Sequence, residues 1–87
     1  MALVLTKKVK IIFDGPISVD PAFIMAREAI VNQLVAEEKT DGFWEGNAEI
    51  TIRSFIDTAS AQEFIREITA LNLEYNRVVL SSSITDI

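Results

Sequence analysis

The sequence predicts an α+β two-layer sandwich, in which two helices cover one face of a three- or four-stranded sheet. Three observations predict it. The chain has 87 residues, enough for a single α+β domain spanning 1–87. Apolar and polar residues alternate near both ends and in the middle, which is typical of half-buried strands. Between these segments, apolar residues recur every three or four positions, as on one side of a helix.

The first predicted strand runs from Leu3 to Phe13 and ends at the turn residues 14–16, which include Pro16. Its alternate residues are apolar, which indicates one buried face. Lys7, Lys8 and Lys10 lie close together in it. We interpret these lysines as solvated residues that guard a strand edge against aggregation. A phosphate-binding patch is the alternative.

The first helix is predicted to begin at Asp20-Pro21, because aspartate accepts hydrogen bonds from free backbone donors and proline suits the first helical position. It is expected to end at Asp41-Gly42. Arg27 falls among the polar residues, mostly on the solvent side. The apolar face is formed by Phe23, Ile24, Ile30, Val31, Leu34 and Val35.

The middle segment, from Phe43 to Ile56, has the clearest alternation in the chain. Gly46 interrupts it, either as a bulge within one long strand or as a turn between two strands, and the pattern leaves both open. The residues of one parity, which we assign to the core, are Ala48, Ile50, Ile52 and Ile56. The residues of the opposite parity are Glu49, Thr51, Arg53 and Phe55.

The second helix is predicted to begin at Ser60, which forms a capping-box pattern with Glu63, and to end near Asn72. Its apolar stripe consists of Ala61, Phe64, Ile65, Ile68 and Leu71. Tyr75 lies in the connection that follows. A last strand contains Val78, Val79, Leu80 and Ile84.

Two helices between strands in this order can lie on one face of a sheet, because parallel crossovers are right-handed. If Gly46 separates two strands, the order becomes the split βαβ pattern of the ferredoxin-like fold. The second face of the sheet would then be open. We expect it to carry one parity of the last strand together with Val4, Lys8, Lys10, Ile12, Glu49, Thr51, Arg53 and Phe55. On this placement, Arg53→Glu or Phe55→Asp would disrupt association and leave the domain folded.

The chain has no histidine and no cysteine. Those residues supply most neutral-pH proton transfer, thiol chemistry and transition-metal ligation. Glycine-rich phosphate loops and calcium-binding loops are also missing. Neighbouring carboxylates such as Glu37 and Glu38 fall on solvated faces. We therefore predict no catalytic residues, no cofactor and no metal.

The net charge is −5, which disfavours binding to nucleic acid by phosphate neutralisation. No apolar run approaches the length of a membrane span, and the first apolar residues precede the lysines, the reverse of a signal peptide. We expect no nucleic-acid or membrane partner and a cytoplasmic location.

Trp44 is the only tryptophan. We interpret it first as an anchor at the end of the core. Tryptophan is also enriched in interface hot spots, so an exposed binding element is the alternative.

The segment from Ile50 to Ile65, with the strand Ile50-Thr51-Ile52-Arg53 leading into a helix, resembles the third strand and second helix of small ferredoxin-like and dimeric α/β-barrel domains. It also resembles short uncharacterised proteins of tailed bacteriophages, which implies a virion-associated location if the chain is encoded by a phage. The resemblance covers about a fifth of the chain. Similarity to dimeric α/β barrels implies two copies packed through their sheet faces around a cavity.

The favoured hypothesis is a small non-enzymatic interaction or assembly module that binds itself, as a homo-oligomer, or another protein through its open sheet face and edges. The predicted contact residues are Lys8, Lys10, Ile12, Trp44, Arg53 and Phe55. One alternative is a dimeric-barrel enzyme or ligand-binding protein, with Lys8, Lys10, Arg53 and Tyr75 as polar groups. Another is an acidic inhibitor of a host nucleic-acid-binding enzyme.

Overall fold

Four strands and two helices make up the computed structural model, which describes residues 3–15, 20–47 and 49–87. The expectations for Pro16 and Ala48 lie outside the described residues. In chain order the elements are β1 (Lys7–Phe13), α1 (Pro21–Ala36), β2 (Thr40–Gly46), β3 (Ile50–Phe55), α2 (Thr58–Glu74) and β4 (Val79–Asp86). The strands form one sheet in the order β2-β3-β1-β4, with every neighbouring pair antiparallel. The predicted α+β class is confirmed.

Both helices pack against the same face of the sheet. Alternate residues of β1 are buried there, and the ring of Phe55 on β3 lies 5.1 Å from the ring of Phe64 on α2. The helices also contact each other. The core consists of Val9, Ile11, Phe13, Val31, Leu34, Phe55, Ala61, Phe64 and Ile68. In the described part of the chain, no helix lies on the opposite face, which we call the open face.

Gly46 ends β2, and a tight turn leads to β3, so the alternative of two strands is the correct one. Gly46 has a φ of +126°, and a Cβ atom there would lie 2.0 Å from the carbonyl oxygen of Ile50. The side-chain oxygen of Asn47 accepts hydrogen bonds from the backbone N–H groups of Glu49 (2.8 Å) and Ile50 (3.1 Å). Glycine and asparagine together therefore form the hairpin turn.

The first helix begins where the sequence predicts, with Oδ1 of Asp20 accepting a hydrogen bond from the backbone N–H of Ala22 at 2.9 Å. It ends at Ala36, earlier than the predicted stop at Asp41. Glu38 adopts a left-handed conformation with φ of 59°, and β2 already begins at Thr40. The predicted stop was wrong because a non-glycine residue terminates the helix, which sequence rules seldom indicate.

The second helix begins at Thr58, and its N-cap is Asp57 and not Ser60. Oδ1 of Asp57 accepts a hydrogen bond from the backbone N–H of Ser60 at 2.8 Å. Ser60 itself is buried within the first turn. The apolar stripe of this helix is confirmed, since Ala61, Phe64, Ile68 and Leu71 are all buried.

The predicted faces of β3 were wrong. Phe55 is 0% exposed and lies in the core, and Thr51 is buried on the same side. Arg53, between them, is half-buried and also faces the helices. Because successive side chains of a strand point to opposite faces, Ile50 and Ile52 lie on the open face. Both parities of this strand carry large apolar residues, so alternation alone selected the wrong one.

The lysines of β1 do not guard a sheet edge. The strand lies between β3 and β4, so Lys8 and Lys10 are in the interior of the sheet, on its open face. Opposite Lys8 on the two neighbouring strands are Ser54 and Thr85.

In the described ranges, neither helix is long and apolar enough to cross a membrane.

Candidate functional site

The open face has an apolar patch beside two lysines. Ile12 and Ile50 are direct cross-strand partners, and Ile52 lies opposite Lys10. The three isoleucines are half-buried, while Lys8 and Lys10 are exposed. Cross-strand apolar neighbours shield one another from water, which explains why these isoleucines are not fully exposed. The patch is more apolar than the sequence predicts, because β3 turns Ile50 and Ile52 to the open face, where Thr51 and Arg53 were expected.

A shallow hollow of about 240 Å³ lies at one end of the open face. Phe43, which is 64% exposed, forms one wall with Ile52 and Ile87. Lys8 and Glu45 supply charges of opposite sign at its rim. These groups make a mixed apolar and charged surface that suits a protein contact better than a small polar ligand.

The two edges of the sheet differ in how well they are protected. The β2 edge carries Asp41 and Glu45, and its pairing with β3 shifts register between Thr40 and Trp44. Charged side chains and irregular register both hinder pairing with another strand. The β2 edge is therefore guarded.

The β4 edge has neither protection. From Val79 to Thr85 it carries no charged side chain, and its last carboxylate, Asp86, is ion-paired with Lys7 of β1. Leu80 is 64% exposed, and the serines at 81–83 are exposed as well. Within the described residues, β4 pairs only with β1. Its outer row of backbone groups is a template for a further strand.

Arg53 is held between the sheet and the helices. Its guanidinium carbon lies 5.8 Å from the ring centre of Phe64, and Nη1 donates a hydrogen bond to the carbonyl of Gly42 at 3.1 Å. Its Nε is buried and makes no hydrogen bond to a described residue. Burial lowers the pKa of Arg53, and repulsion from Arg27 lowers it further, while Asp41 raises it.

Arg27, Trp44 and Arg53 lie together at the β2 side of the helix layer and line two adjoining spaces. The outer space is a hollow of about 250 Å³, and the inner one is a recess of about 20 Å³ that reaches toward the core. Trp44 is 46% exposed and pairs with Arg53 in the β2–β3 register. Trp44 is therefore partly buried against the helix layer, as an anchor at the end of the core would be, and partly exposed, as a binding element would be.

Arg27 was missed as a candidate site residue. It was assigned to the solvent side of α1, yet it is half-buried and lines this hollow. Its spacing contains the signal, since Arg27 lies four residues after Phe23 and four before Val31, both buried. Residues four apart lie on the same side of a helix.

The structure divides the six predicted contact residues between three environments. Lys8, Lys10 and Ile12 lie on the open face, and their role in contacts stays a prediction. Trp44 and Arg53 line the outer hollow of about 250 Å³, on the side of the sheet that faces the helices. Phe55 is enclosed by the core and has no surface to offer a partner.

The clustered carboxylates near Lys39 serve a structural contact. Nζ of Lys39 lies 2.7 Å from Oε2 of Glu63 and 3.4 Å from Oε1 of Glu37, which joins the end of α1 to α2. The hydrogen bond to Glu63 raises the pKa of Lys39. Among the described residues, no group of three or more acidic side chains is arranged to hold a metal ion.

Tyr75 packs its ring edge-on against Phe23, with the ring centres 5.1 Å apart. This contact is what an amphipathic residue between the second helix and the last strand would make.

No family model, no curated protein and no solved structure matches the chain.

Proposed function

We propose that the protein is a non-enzymatic interaction module that binds a second copy of itself through the edge of β4. One observation supports this most strongly: the sheet has one guarded edge and one unguarded edge. The unguarded stretch is seven residues long, from Val79 to Thr85, and has no charge, proline or glycine. Natural sheets normally protect such an edge unless another strand covers it.

A second copy suits this edge because antiparallel pairing of β4 with itself is self-complementary. A two-fold axis near Ser82 and Ser83 would place small hydroxyl side chains opposite one another and bring no like charges together. Pairing through β2 would instead bring Asp41 and Glu45 of two copies close to each other. The β4 dimer would join the two sheets into one of eight strands and leave both open faces accessible.

We also propose that the domain has the ferredoxin-like fold. The support is the element order βαββαβ with the two middle strands joined by a hairpin, together with the antiparallel strand order β2-β3-β1-β4. That arrangement leaves β4 at an edge beside β1, which is the feature on which the dimer depends.

Two serine substitutions separate edge pairing from face-to-face packing. Ser83, on β4, is the cross-strand partner of Lys10 on β1. Ser54, on the interior strand β3, is the cross-strand partner of Lys8 on β1. In each case a new glutamate has a cross-strand lysine partner, so both domains should fold. Ser83→Glu places two carboxylates near the dimer axis, whereas Ser54→Glu adds the same charge to the open face alone.

Sedimentation equilibrium over the micromolar range tests the proposal. We expect dimers for the wild type and for Ser54→Glu, and monomers for Ser83→Glu. The proposal is wrong if the wild type stays monomeric throughout or if Ser83→Glu dimerises as well as the wild type. Loss of the dimer in Ser54→Glu, with Ser83→Glu unaffected, would instead indicate packing through the open face.

A further inference from the structure

The hollow lined by Arg27 and Arg53 contains two guanidinium groups that have no carboxylate partner among the described residues. Neither arginine forms an ion pair with a described residue, although the protein carries a net charge of −5. Glu28 also lines the outer hollow, and Asp41 is close enough to Arg53 to affect its charge electrostatically. Neither carboxylate is within 4.0 Å of a guanidinium nitrogen of Arg27 or Arg53, the distance for an ion pair.

The positive charges of Arg27 and Arg53 repel each other, and a bound anion would offset that repulsion. The positive charge of Arg27 opposes the protonated form of Arg53, and burial opposes it too. Arginine keeps its charge even so, because its ordinary pKa is far above neutrality. An anion between the two side chains would remove the repulsion and supply the charge-assisted hydrogen bonds that guanidinium groups make best.

Arg53 also has an unused donor. Its Nη1 donates to the carbonyl of Gly42, whereas its buried Nε–H has no acceptor among the described residues. Buried polar groups in folded proteins nearly always have a hydrogen-bond partner. The unpaired donor makes this position of Arg53 unfavourable, while its guanidinium group also lines the recess of about 20 Å³ and the outer hollow.

Trp44 adds a flat apolar surface next to the charges. Its indole lines both the recess and the outer hollow and is about half exposed. Aromatic side chains of this kind stack on planar groups of ligands. The outer hollow of about 250 Å³ is smaller than most pockets that enclose drug-sized ligands, so its occupant must be small.

We propose that this hollow binds a small organic oxyanion, a carboxylate or phosphate attached to a planar apolar group. The charged oxygens lie between Arg27 and Arg53 and accept charge-assisted hydrogen bonds from the two guanidinium groups. The planar group rests against Trp44. This site lies at the β2 side of the helix layer, so it is separate from the β4 edge and does not depend on the proposed dimer.

The fluorescence of Trp44, the only tryptophan, gives a direct readout of binding. The probes are inorganic phosphate, benzoate and phenyl phosphate, each titrated into the full chain through the millimolar range. We expect a saturable change with benzoate or phenyl phosphate, and a weaker response to inorganic phosphate, which cannot stack. The tighter of the two aromatic probes identifies the preferred anionic group.

Variants of Arg27 show whether the response comes from the hollow. Arg27→Gln should weaken binding about tenfold or more, and Arg27→Lys, which keeps the charge but loses the fork of donors, should weaken it less. Arg66→Gln is the matched control, since Arg66 is exposed on α2 and does not line the hollow. Circular dichroism checks that each variant is folded.

The proposal is overturned if no probe gives a saturable signal, or if both Arg27 variants bind as tightly as Arg66→Gln. It is also overturned if inorganic phosphate binds as well as phenyl phosphate, because Trp44 would then contribute nothing. Repeating the titration on Ser83→Glu separates this site from the dimer, since the same affinity is expected whether or not that variant is monomeric.

Discussion

The side chain of Phe55 lies at the centre of the core, with 0% of its surface exposed and its ring against Phe64. On its own strand the neighbouring core-side residues are Thr51 and Arg53, which are polar. The burial of this one aromatic ring therefore determines which way β3 faces. A shift of one residue would place Ile50 and Ile52 inside but would expose Phe55 to water.

Phe55→Ala tests this role. We expect the free energy of unfolding to fall by about 3–5 kcal/mol, because the substitution removes a fully buried ring and leaves a cavity. Phe55→Asp should leave the chain unfolded, since it would bury a carboxylate without a partner. Urea unfolding followed by circular dichroism measures both effects.

Phe43→Ala is the matched control, because Phe43 is also an aromatic residue of the sheet but is 64% exposed. Its substitution should change the free energy of unfolding by about 0.5 kcal/mol or less. If Phe55→Ala were as mild as Phe43→Ala, the assigned orientation of β3 would be wrong.

At the scale of elements, the hairpin between β2 and β3 determines the strand count. The turn requires a residue at Gly46 with a positive φ and no side chain, because the carbonyl oxygen of Ile50 lies in the space that a Cβ would occupy. Asn47 then satisfies two backbone donors of the turn. These two residues act locally, so they give a reliable turn signal, but a bulge would use the same residue types.

Gly46→Ala should open this hairpin. The new Cβ would lie 2.0 Å from the oxygen of Ile50, and we expect a loss of more than about 1 kcal/mol in the free energy of unfolding. Amide exchange of β2 should accelerate along with it. Urea unfolding and hydrogen exchange provide the measurements.

Gly15→Ala is the control for this substitution, since the nearest atom to a Cβ there is 3.9 Å away, an ordinary contact. It should cost less than Gly46→Ala and leave the exchange of β2 unchanged. Equal effects of the two variants would show that the turn at Gly46 is not constrained as described.

At the scale of the whole molecule, the titrating groups predict how stability depends on pH. The backbone N–H of Ser60 lowers the pKa of Asp57, and a hydrogen bond from Lys7 lowers that of Asp86. Their contribution is complete above the unfolded pKa of about 3.9 and is lost as the pH falls through the lower folded values. The raised pKa of Lys39 acts oppositely, since its contribution is lost only as the pH rises past about 10.4.

We therefore expect stability that is nearly constant from about pH 5 to about pH 9 and decreases in more acidic solution. The chain contains no histidine or cysteine side chain to titrate between those limits. Asp57→Asn should reduce the acid-dependent loss, because asparagine still caps the helix but does not titrate. Asp57→Ala should destabilise the protein at neutral pH as well. A steep change in stability near pH 7 would contradict the prediction.

Local signals in the sequence determined the two helices, the start of α1 at Asp20, the apolar stripe of α2 and the α+β class. Each depends on residues within one or two turns of each other, where capping and periodicity act directly. The sequence also indicated that one face of the sheet is left without a helix. Its residues were predicted correctly only on β1, where Lys8 and Lys10 alternate with the buried Val9 and Ile11.

Only the tertiary structure decided the orientation of β3, the central position of β1 and the meeting of Arg27 with Arg53 and Trp44. Each depends on contacts between segments far apart in the chain. On β3 both faces carry large apolar residues, so the choice came from the fit of Phe55 against Phe64 and not from its own alternation. Strand order likewise follows from how the helices pack across the sheet, and that order is what makes β4, and not the lysine-bearing β1, an edge.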